Sequence, residues 1–337
     1  MRAMNRSGDH STGCRRWLPV ALRRHLLLLA GLAGGSGQIL ASPPQIDSIG
    51  RGLGAATIRA PAGNSEIVIR TTSRLAGAID SLTWNGREFI DSTDHGRQLQ
   101  SASNLDVGES FFAECFNPTE AGSMHDGAGP TSSSRLLWLS AAGRELITVN
   151  QMAFWLRPGE SSGGHLAANT TILSNHLLQK EVRIGAAGLD HAIRYRVSYT
   201  LPAGELHRRA TFELLTGYMP PAFRDFFVLN LSGNLAPLDD GPGEQPLPVV
   251  VSTASGEHAM GVWSPACSQT LSRPATYGRF WFPDARVSKW NCVVRERSAE
   301  GALLKPGSYR YLVWVAVGSR EQVRQTLQTL RSREAKD

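Results

Sequence analysis

The sequence has few of the features that mark nucleotide-binding and metal-binding proteins. It contains no phosphate-binding loop, no dinucleotide fingerprint and no serine nucleophile elbow. Its four cysteines form no CxxC pair and have no zinc-like spacing. Hydrophobic residues make up 41% of the 337 residues and charged residues 19%, which is typical of a globular protein with a substantial core. We therefore expect no bound cofactor and no metal.

The positive charge of the chain is concentrated in its first 41 residues. The formal net charge is +6, and residues 1–41 account for +5 of it through six arginines and one aspartate. The remaining chain has no basic stripe with interleaved aromatic residues, so nucleic acid is not an expected partner.

Residues 1–41 have the order of a targeting signal. Arginines come first, the apolar run HLLLLAGLAGG follows, and small residues precede a cleavage point after Ala41. The apolar run is too short to span a bilayer comfortably, so no stable membrane span is expected after its removal. We predict a signal peptide over 1–41, a mature domain over 42–337 and a periplasmic or secreted protein. Twin-arginine export, ordinary secretion and an uncleaved anchor remain alternatives.

Three cysteines stay in the predicted mature chain. Cys267 and Cys292 lie in the same C-terminal region and are the predicted disulfide pair, while Cys115 stays free. The alternative is that all three are buried thiols. Asp239 and Asp240 are more consistent with a solvated turn than with a calcium site.

The sequence pattern predicts β-strands along nearly all of the predicted mature chain. HAIRYRVSYTL alternates apolar and polar residues, which indicates a half-buried strand. Asn85-Gly86 between IDSLTW and REFI predicts a hairpin, because both residues accept positive φ. One helix is predicted at the C-terminus, where Ser319 and Gln322 form a capping box. We predict one large all-β domain, an antiparallel sandwich with this helix packed outside it.

Two polar clusters stand out after predicted strands. The first runs from Asp94 to Gln100, and the second is a long Gly- and Ser-rich loop from Glu114 to Ser134 that holds Glu114, Asn117, Glu120, His125 and Asp126. A loop of that length in a compact domain is usually functional or disordered. Planar polar side chains suit sugar hydroxyls, and a histidine with a carboxylate suits acid–base chemistry. A hydrogen-bonded loop bundle that closes the sandwich end is the alternative.

The residues of these clusters predict a sugar-binding cleft. The predicted catalytic residues are His95, Glu120 and His125. The predicted substrate-binding residues are Asp94, Arg97, Gln100, Asn117, Asp126 and Tyr218. Lys289, Trp290 and Asn291 lie at a predicted strand end from which they could reach a cleft.

The segment LAGAIDSLTWNGREFIDS resembles the opening of the aldose epimerases and their galactose mutarotase-like relatives. In that family a Gly-Ala-x-Ile-x-Ser-Leu strand leads to Asn-Gly-x-Glu, and the matching positions here are Gly77, Ala78, Ile79, Ser81, Leu82, Asn85, Gly86 and Glu88. The resemblance covers about the first quarter of the predicted mature chain. It implies a β-supersandwich and a carbohydrate ligand, and Arg97 is similar to the sugar-binding arginine of the epimerases.

Two classes of function follow from these observations. The first is a carbohydrate-active enzyme, an epimerase, lyase or glycosidase, that acts on a sugar ring or glycosidic bond. The second is a non-catalytic carbohydrate-binding or envelope structural protein on the same fold. In either case the expected partner is a monosaccharide or an oligosaccharide.

Overall fold

Strands dominate the computed structural model, which describes residues 54–108, 110–265 and 274–334. Residues Ile46–Asp337 form one unit. The predicted signal peptide lies outside the described residues. The strands are β1 (Ala56–Ala62), β2 (Ser65–Thr71), β3 (Ile79–Trp84), β4 (Arg87–Glu88), β5 (Leu99–Leu105), β6 (Pro118–Thr119), β7 (Arg135–Ala142), β8 (Glu145–Phe154), β9 (Ser161–Ser162), β10 (His165–Leu166), β11 (Leu173–Ile184), β12 (Ala192–Leu201), β13 (Arg209–Met219), β14 (Phe223–Leu229), β15 (Leu235–Leu238), β16 (Gly243–Gln245), β17 (Val249–Thr253), β18 (Ala259–Trp263), β19 (Thr276–Phe282), β20 (Val287–Arg297) and β21 (Gly307–Gly318).

The strands form two antiparallel layers. The first has the order β7, β8, β11, β12, β21, β18, β17, β14, β15. The second has the order β1, β2, β3, β5, β13, β20, β19, β16. The short strand β6 pairs with β5 and with β8, so it joins the layers along one edge. The predicted all-β supersandwich is confirmed.

The core lies between the two layers. On β12 the alternating residues Ile193, Tyr195, Val197 and Tyr199 are all buried, as their spacing predicts. The ring of Tyr199 stacks on Phe212 of β13 with centroids 4.5 Å apart, and this contact links the layers. Burial of such alternating apolar faces is the main favourable contribution to folding.

The predicted hairpin and helix are both present. Asn85 and Gly86 have φ of 48° and 70°, and Trp84 pairs with Arg87 across the turn. Helix α1 spans Arg320–Glu334, and the capping box predicted at its start is formed, with Gln322 accepting from the Ser319 N–H at 2.8 Å. The apolar face of α1 packs with Val250 and Ala316 on the outside of the first layer. The outer face of the second layer carries no helix within the described residues.

The predicted disulfide needs correction at Cys292. This residue points into the core from β20, and its thiol is free and fully buried. Burial raises the pKa of the thiol, which makes it unreactive in the folded state. Cys267 lies outside the described residues. The third cysteine, Cys115, is also a free buried thiol.

Alkylation of unfolded, unreduced protein tests this correction. Cys292 is expected to resist iodoacetamide in the native protein, because its thiol is buried, and to react fully once the chain is unfolded without a reductant. Peptide mass mapping measures both states. Recovery of Cys292 in a disulfide-linked peptide would contradict the free thiol, and Cys115 provides the internal reference for a buried thiol.

Candidate functional site

The two polar clusters predicted from the sequence do meet, but as a packed loop bundle. The backbone N–H of His95 donates to the carbonyl of Gly127 at 2.8 Å. The ring of His95 is 1% exposed, with Nδ1 2.7 Å from the Gly127 carbonyl and Nε2 2.9 Å from the Arg74 carbonyl. Both ring nitrogens therefore bind the backbone. The predicted catalytic role of His95 is wrong for this structure, because no atom of the ring is free to meet a ligand.

Glu120, the predicted base, lies inside the sandwich. Its carboxylate is 0% exposed and forms an ion pair with Lys180 of β11, with Nζ and Oε1 2.7 Å apart. The N–H of Ser101 donates to its other oxygen at 3.0 Å. Burial raises the pKa of Glu120, although Lys180 and Ser101 act in the opposite direction. Glu120 joins the two layers and does not face solvent, so its predicted role is also corrected.

His125 has the predicted pairing with a carboxylate, but the partner is Glu160. Nε2 of His125 forms a hydrogen-bonded ion pair with Glu160, and about a third of each side chain is exposed. The N–H of Arg157 and the imidazole of His125 lower the pKa of Glu160. The neighbouring Asp126 is structural, because its carboxylate accepts from the N–H of Ser123 and completes a capping box.

Two predicted ligand residues have internal partners instead. The amide of Asn117 is buried and donates to the carbonyl of Ser103 at 2.6 Å. The Gln100 amide donates to the carbonyl of Gly96 at 3.0 Å and accepts from the N–H of Ala121 at 3.2 Å. These hydrogen bonds provide partners for backbone carbonyl and N–H groups of the loops. Asn117 and Gln100 hold the bundle together, and their predicted sugar contacts are wrong.

Asp94, Arg97 and Tyr218 are placed where a ligand can reach them. Nε of Arg97 lies 3.0 Å from Asp94 Oδ2, and the Arg97 side chain is 24% exposed. The charge of Asp94 also acts on the phenol of Tyr218. The three side chains thus form one edge of a polar surface that continues onto the second layer.

That surface is the outer face of β5, β13, β20 and β19. A β-bulge in β13 between Glu213 and Leu215 shifts the alternation by one residue. Because of this shift, Glu213, Thr216 and Tyr218 all point to the outer face. The register places Asn291 opposite Thr216 and Lys289 opposite Tyr218 on the neighbouring strand β20. We call these five residues the open-face cluster.

Glu213 is the central acceptor of the open-face cluster. Its Oε2 accepts from the Thr216 hydroxyl at 2.5 Å and lies 3.7 Å from Lys289 Nζ, and its side chain is 20% exposed. Burial alone would raise its pKa, but the charge of Lys289 and the donors Thr216 and Asn291 more than offset this and lower it. Glu213 is therefore an ionised carboxylate at neutral pH, held by donors and still open to solvent.

The side chain of Asn291 occupies the space that a side chain at position 278 would need, and the residue there is Gly278. The Asn291 carbonyl oxygen accepts from the Gly278 N–H at 2.9 Å. A Cβ at Gly278 would lie 2.3 Å from that oxygen, so a larger residue there would displace Asn291. With its oxygen occupied, the Asn291 amide nitrogen is left to donate to Glu213.

Lys289 is a fixed cation between aromatic rings. Its Nζ lies 5.3 Å from the ring centroid of Tyr218 and 5.4 Å from that of Phe280, within the range of cation–π attraction. Burial would lower its pKa, but the Glu213 carboxylate and the Tyr218 phenol outweigh this and raise it. Lys289 therefore stays protonated and donates hydrogen bonds at any physiological pH.

A second carboxylate, Glu114, acts on the same cation through its charge, which raises the pKa of Lys289. Glu114 is exposed and has a φ of 67°, an unusual conformation for a residue other than glycine. Its N–H donates to Asn104 of β5 at 2.8 Å, and the Ser162 hydroxyl donates to its carboxylate at 2.7 Å. The loop that holds Glu114 thus lies at the border of the open-face cluster.

The same outer face continues into an arginine-lined cavity. Arg209 of β13 and Arg297 of β20 are register partners, and like charges directly opposite each other repel. They line a cavity of about 450 Å³ together with Arg208 and residues 298–301. An anionic group placed there would relieve the repulsion.

The sequence indicates part of this site but not its centre. It points to Tyr218, Lys289, Trp290 and Asn291 as possible cleft residues, of which Trp290 is buried in the core. It gives no comparable signal for Glu213. In ATFELL the glutamate occupies a polar position of an ordinary alternating strand, and the bulge that aligns it with Thr216 has no clear signal in the sequence.

Among the described residues, no helix is both apolar enough and long enough to cross a membrane.

No protein-family model matches the chain, and no curated protein matches it either. Its structure is similar to an alpha-mannosidase from Enterococcus faecalis (11% identity, 83% of this chain, 32% of that chain, TM-score 0.46). It is also similar to an alpha-galactosidase from Lactobacillus brevis, with 9% identity over 81% of this chain and 40% of that chain and a TM-score of 0.43. A third similar structure is the candidate mutarotase YeaD from Salmonella typhimurium, with 9% identity over 78% of this chain and 94% of that chain and a TM-score of 0.30.

The likeness to these three structures is one of overall structure alone. The chain spans 40% of the galactosidase and 32% of the mannosidase. All three TM-scores lie below 0.5, and identity does not exceed 11%.

Proposed function

We propose that the protein is a carbohydrate-active enzyme whose site is the open-face cluster. The observation that carries the proposal is the ionised, partly exposed Glu213 beside the fixed cation Lys289 and the ring of Tyr218. A carboxylate, an ammonium and a phenol in one place supply an acceptor and two donors for sugar hydroxyls. The partly exposed rings of Tyr218 and Phe280 suit the apolar side of a sugar ring.

The chemistry proposed for this site is acid–base catalysis at a sugar carbon or ring oxygen. Glu213 takes a proton from a hydroxyl or C–H group, because it is ionised at neutral pH. Lys289 stabilises the negative charge that develops on the neighbouring oxygen. The phenol of Tyr218, whose pKa is raised by burial, stays protonated and is the proton donor. Glu114 is the second carboxylate available at the border.

The ligand class that fits the surface is an oligosaccharide with an acidic group. The arginine-lined cavity lies on the same outer face, and planar guanidinium groups bind carboxylates and sulfates well. Arg97 at the opposite edge provides a further donor, in keeping with the sugar-binding role that its sequence position suggests.

A ligand panel tests the proposed function. Purified protein is titrated calorimetrically with neutral and uronate-containing oligosaccharides, and anomer exchange, bond cleavage and unsaturated products are monitored by NMR. We expect saturable binding and turnover of at least one acidic sugar. Binding without any turnover would identify the non-catalytic carbohydrate-binding alternative, and the absence of binding to every sugar would overturn the proposal.

Export is proposed from the sequence of residues 1–41. The arginines, the short apolar run and the small residues before Ser42 support a cleaved signal peptide. We expect the mature protein in the periplasm or medium to begin near Ser42, which N-terminal sequencing of protein from the native host would show. An intact Met1 on a cytoplasmic protein would contradict this.

A further inference from the structure

Two histidines and a glutamate converge at a place that the proposed sugar site does not use. His176 lies on the inner face of β11, while Glu205 and His207 belong to the segment before β13. Nε2 of His176 lies 2.6 Å, and Nε2 of His207 2.8 Å, from the same Glu205 oxygen. One ligand atom from each of the three residues can be chosen so that all lie within 4.8 Å of one another.

The hydrogen bond of His207 Nδ1 determines which ring nitrogen can bind a metal ion. Nδ1 of His207 forms a hydrogen bond with the carbonyl of Asp106, and a carbonyl only accepts, so Nδ1 carries a proton. Nε2 of His207, which faces the carboxylate of Glu205, is then the ring nitrogen available to bind a metal ion. A ring N–H bound to a backbone carbonyl is the usual support of a metal-ligating histidine.

The surroundings fix the imidazoles and leave one side open. The His176 and His207 side chains are each 3% exposed, and the ring of Phe116 packs against both, with centroids 5.9 and 5.4 Å away. The Glu205 side chain is 24% exposed. Oε2 of Glu205 is the atom that both imidazoles approach, so the carboxylate and the two rings converge on one point.

We infer that His176, Glu205 and His207 form a binding site for a divalent transition metal, with Zn²⁺ as the ion that best suits the donor set. Two imidazole nitrogens and one carboxylate oxygen are common zinc ligands, whereas calcium and magnesium prefer oxygen ligands alone. Three protein ligands leave a fourth tetrahedral position, on the exposed side of Glu205, for water. The ion would tie the segment before β13 to β11.

Metal titration of the full chain tests the inference. Protein dialysed against a chelator and then against metal-free buffer is titrated with ZnCl₂ in a calorimeter and, separately, with CoCl₂ under visible absorption. We expect one ion per chain, the visible bands of tetrahedral Co²⁺, and displacement of Co²⁺ by Zn²⁺. Wild-type protein that binds no Zn²⁺ and shows no Co²⁺ bands would overturn the site and leave the three side chains as a hydrogen-bonded group that joins the segment before β13 to β11.

Matched variants assign the binding to these residues. Glu205→Gln keeps the shape and removes the charge at a partly exposed position, and His176→Ala removes one nitrogen. Each is expected to weaken Zn²⁺ binding by at least about 10-fold, since even an outer hydrogen-bond partner of a ligand contributes about 10–100-fold. His165→Ala, at an exposed histidine of β10, serves as the control and should bind as the wild type does. Unchanged affinity in folded Glu205→Gln, or loss of binding in His165→Ala, would refute the assignment.

Discussion

Replacing Glu120 by alanine is expected to destabilise the protein by about 3–5 kcal/mol, because Lys180 would then be a buried charge with no partner. The two side chains are 0% and 1% exposed, and the Ser101 N–H would lose its acceptor as well. Urea unfolding monitored by fluorescence measures the free energy of unfolding. Glu120 is thus expected to matter for stability, although its sequence position suggests catalysis.

A double variant separates the buried pair from its single residues. Glu120→Leu combined with Lys180→Met replaces the ion pair by apolar groups of similar volume. Such replacements are often neutral or stabilising, so the double variant should be clearly more stable than Glu120→Ala. Exposed Glu145→Ala, which breaks only a surface pair with Arg183, is the control and should cost at most about 1 kcal/mol. A similarly small loss in Glu120→Ala would contradict the buried ion pair.

Replacing Glu213 by glutamine is expected to lower kcat/KM on the sugar identified by the ligand panel by about 10²–10⁴-fold, the contribution typical of a general base. The amide keeps the shape of the side chain but cannot accept a proton. Lys289→Met should produce a loss of similar size, because the developing charge would lose its stabilising cation. Steady-state kinetics on folded variants, verified by thermal unfolding, measures both effects.

The pH dependence of the same activity has a defined sign. The folded pKa of Glu213 lies below its usual value of 4.5, so the carboxylate stays ionised as the pH falls through 4.5. Activity is therefore expected to persist at pH 4.5 and to disappear only at lower pH. The ion pair with Lys289 stabilises the fold above pH 4.5, and this contribution is lost as the pH falls through the lowered pKa.

Two controls distinguish the open-face cluster from the loops that the sequence indicated. Glu145→Gln removes an exposed carboxylate far along the chain and should leave kcat/KM unchanged. His125→Asn removes the histidine that pairs with Glu160. If His125→Asn abolished turnover while Glu213→Gln retained it, the catalytic centre would lie in the loop bundle and the proposed site would be wrong.

The sequence by itself determined the strands, the turn and the helix. Alternation in HAIRYRVSYTL, the positive-φ pair Asn85-Gly86 and the capping box at Ser319 depend on neighbouring residues, so they can be read from the chain. These local signals led to the all-β sandwich and to the helix outside it. That Lys289 and Asn291 face a ligand cleft stays a prediction, and Trp290 between them is buried.

Only the tertiary structure decided which polar residues are buried and which are available to a ligand. His95 and Glu120 have the composition of a site, but their partners Arg74, Gly127 and Lys180 come from distant segments. Glu213 joins the open-face cluster through a bulge and through donors on a neighbouring strand. Contacts between residues far apart in the chain create these environments. The sequence around a polar residue therefore does not show whether its side chain is buried in the core or exposed to solvent.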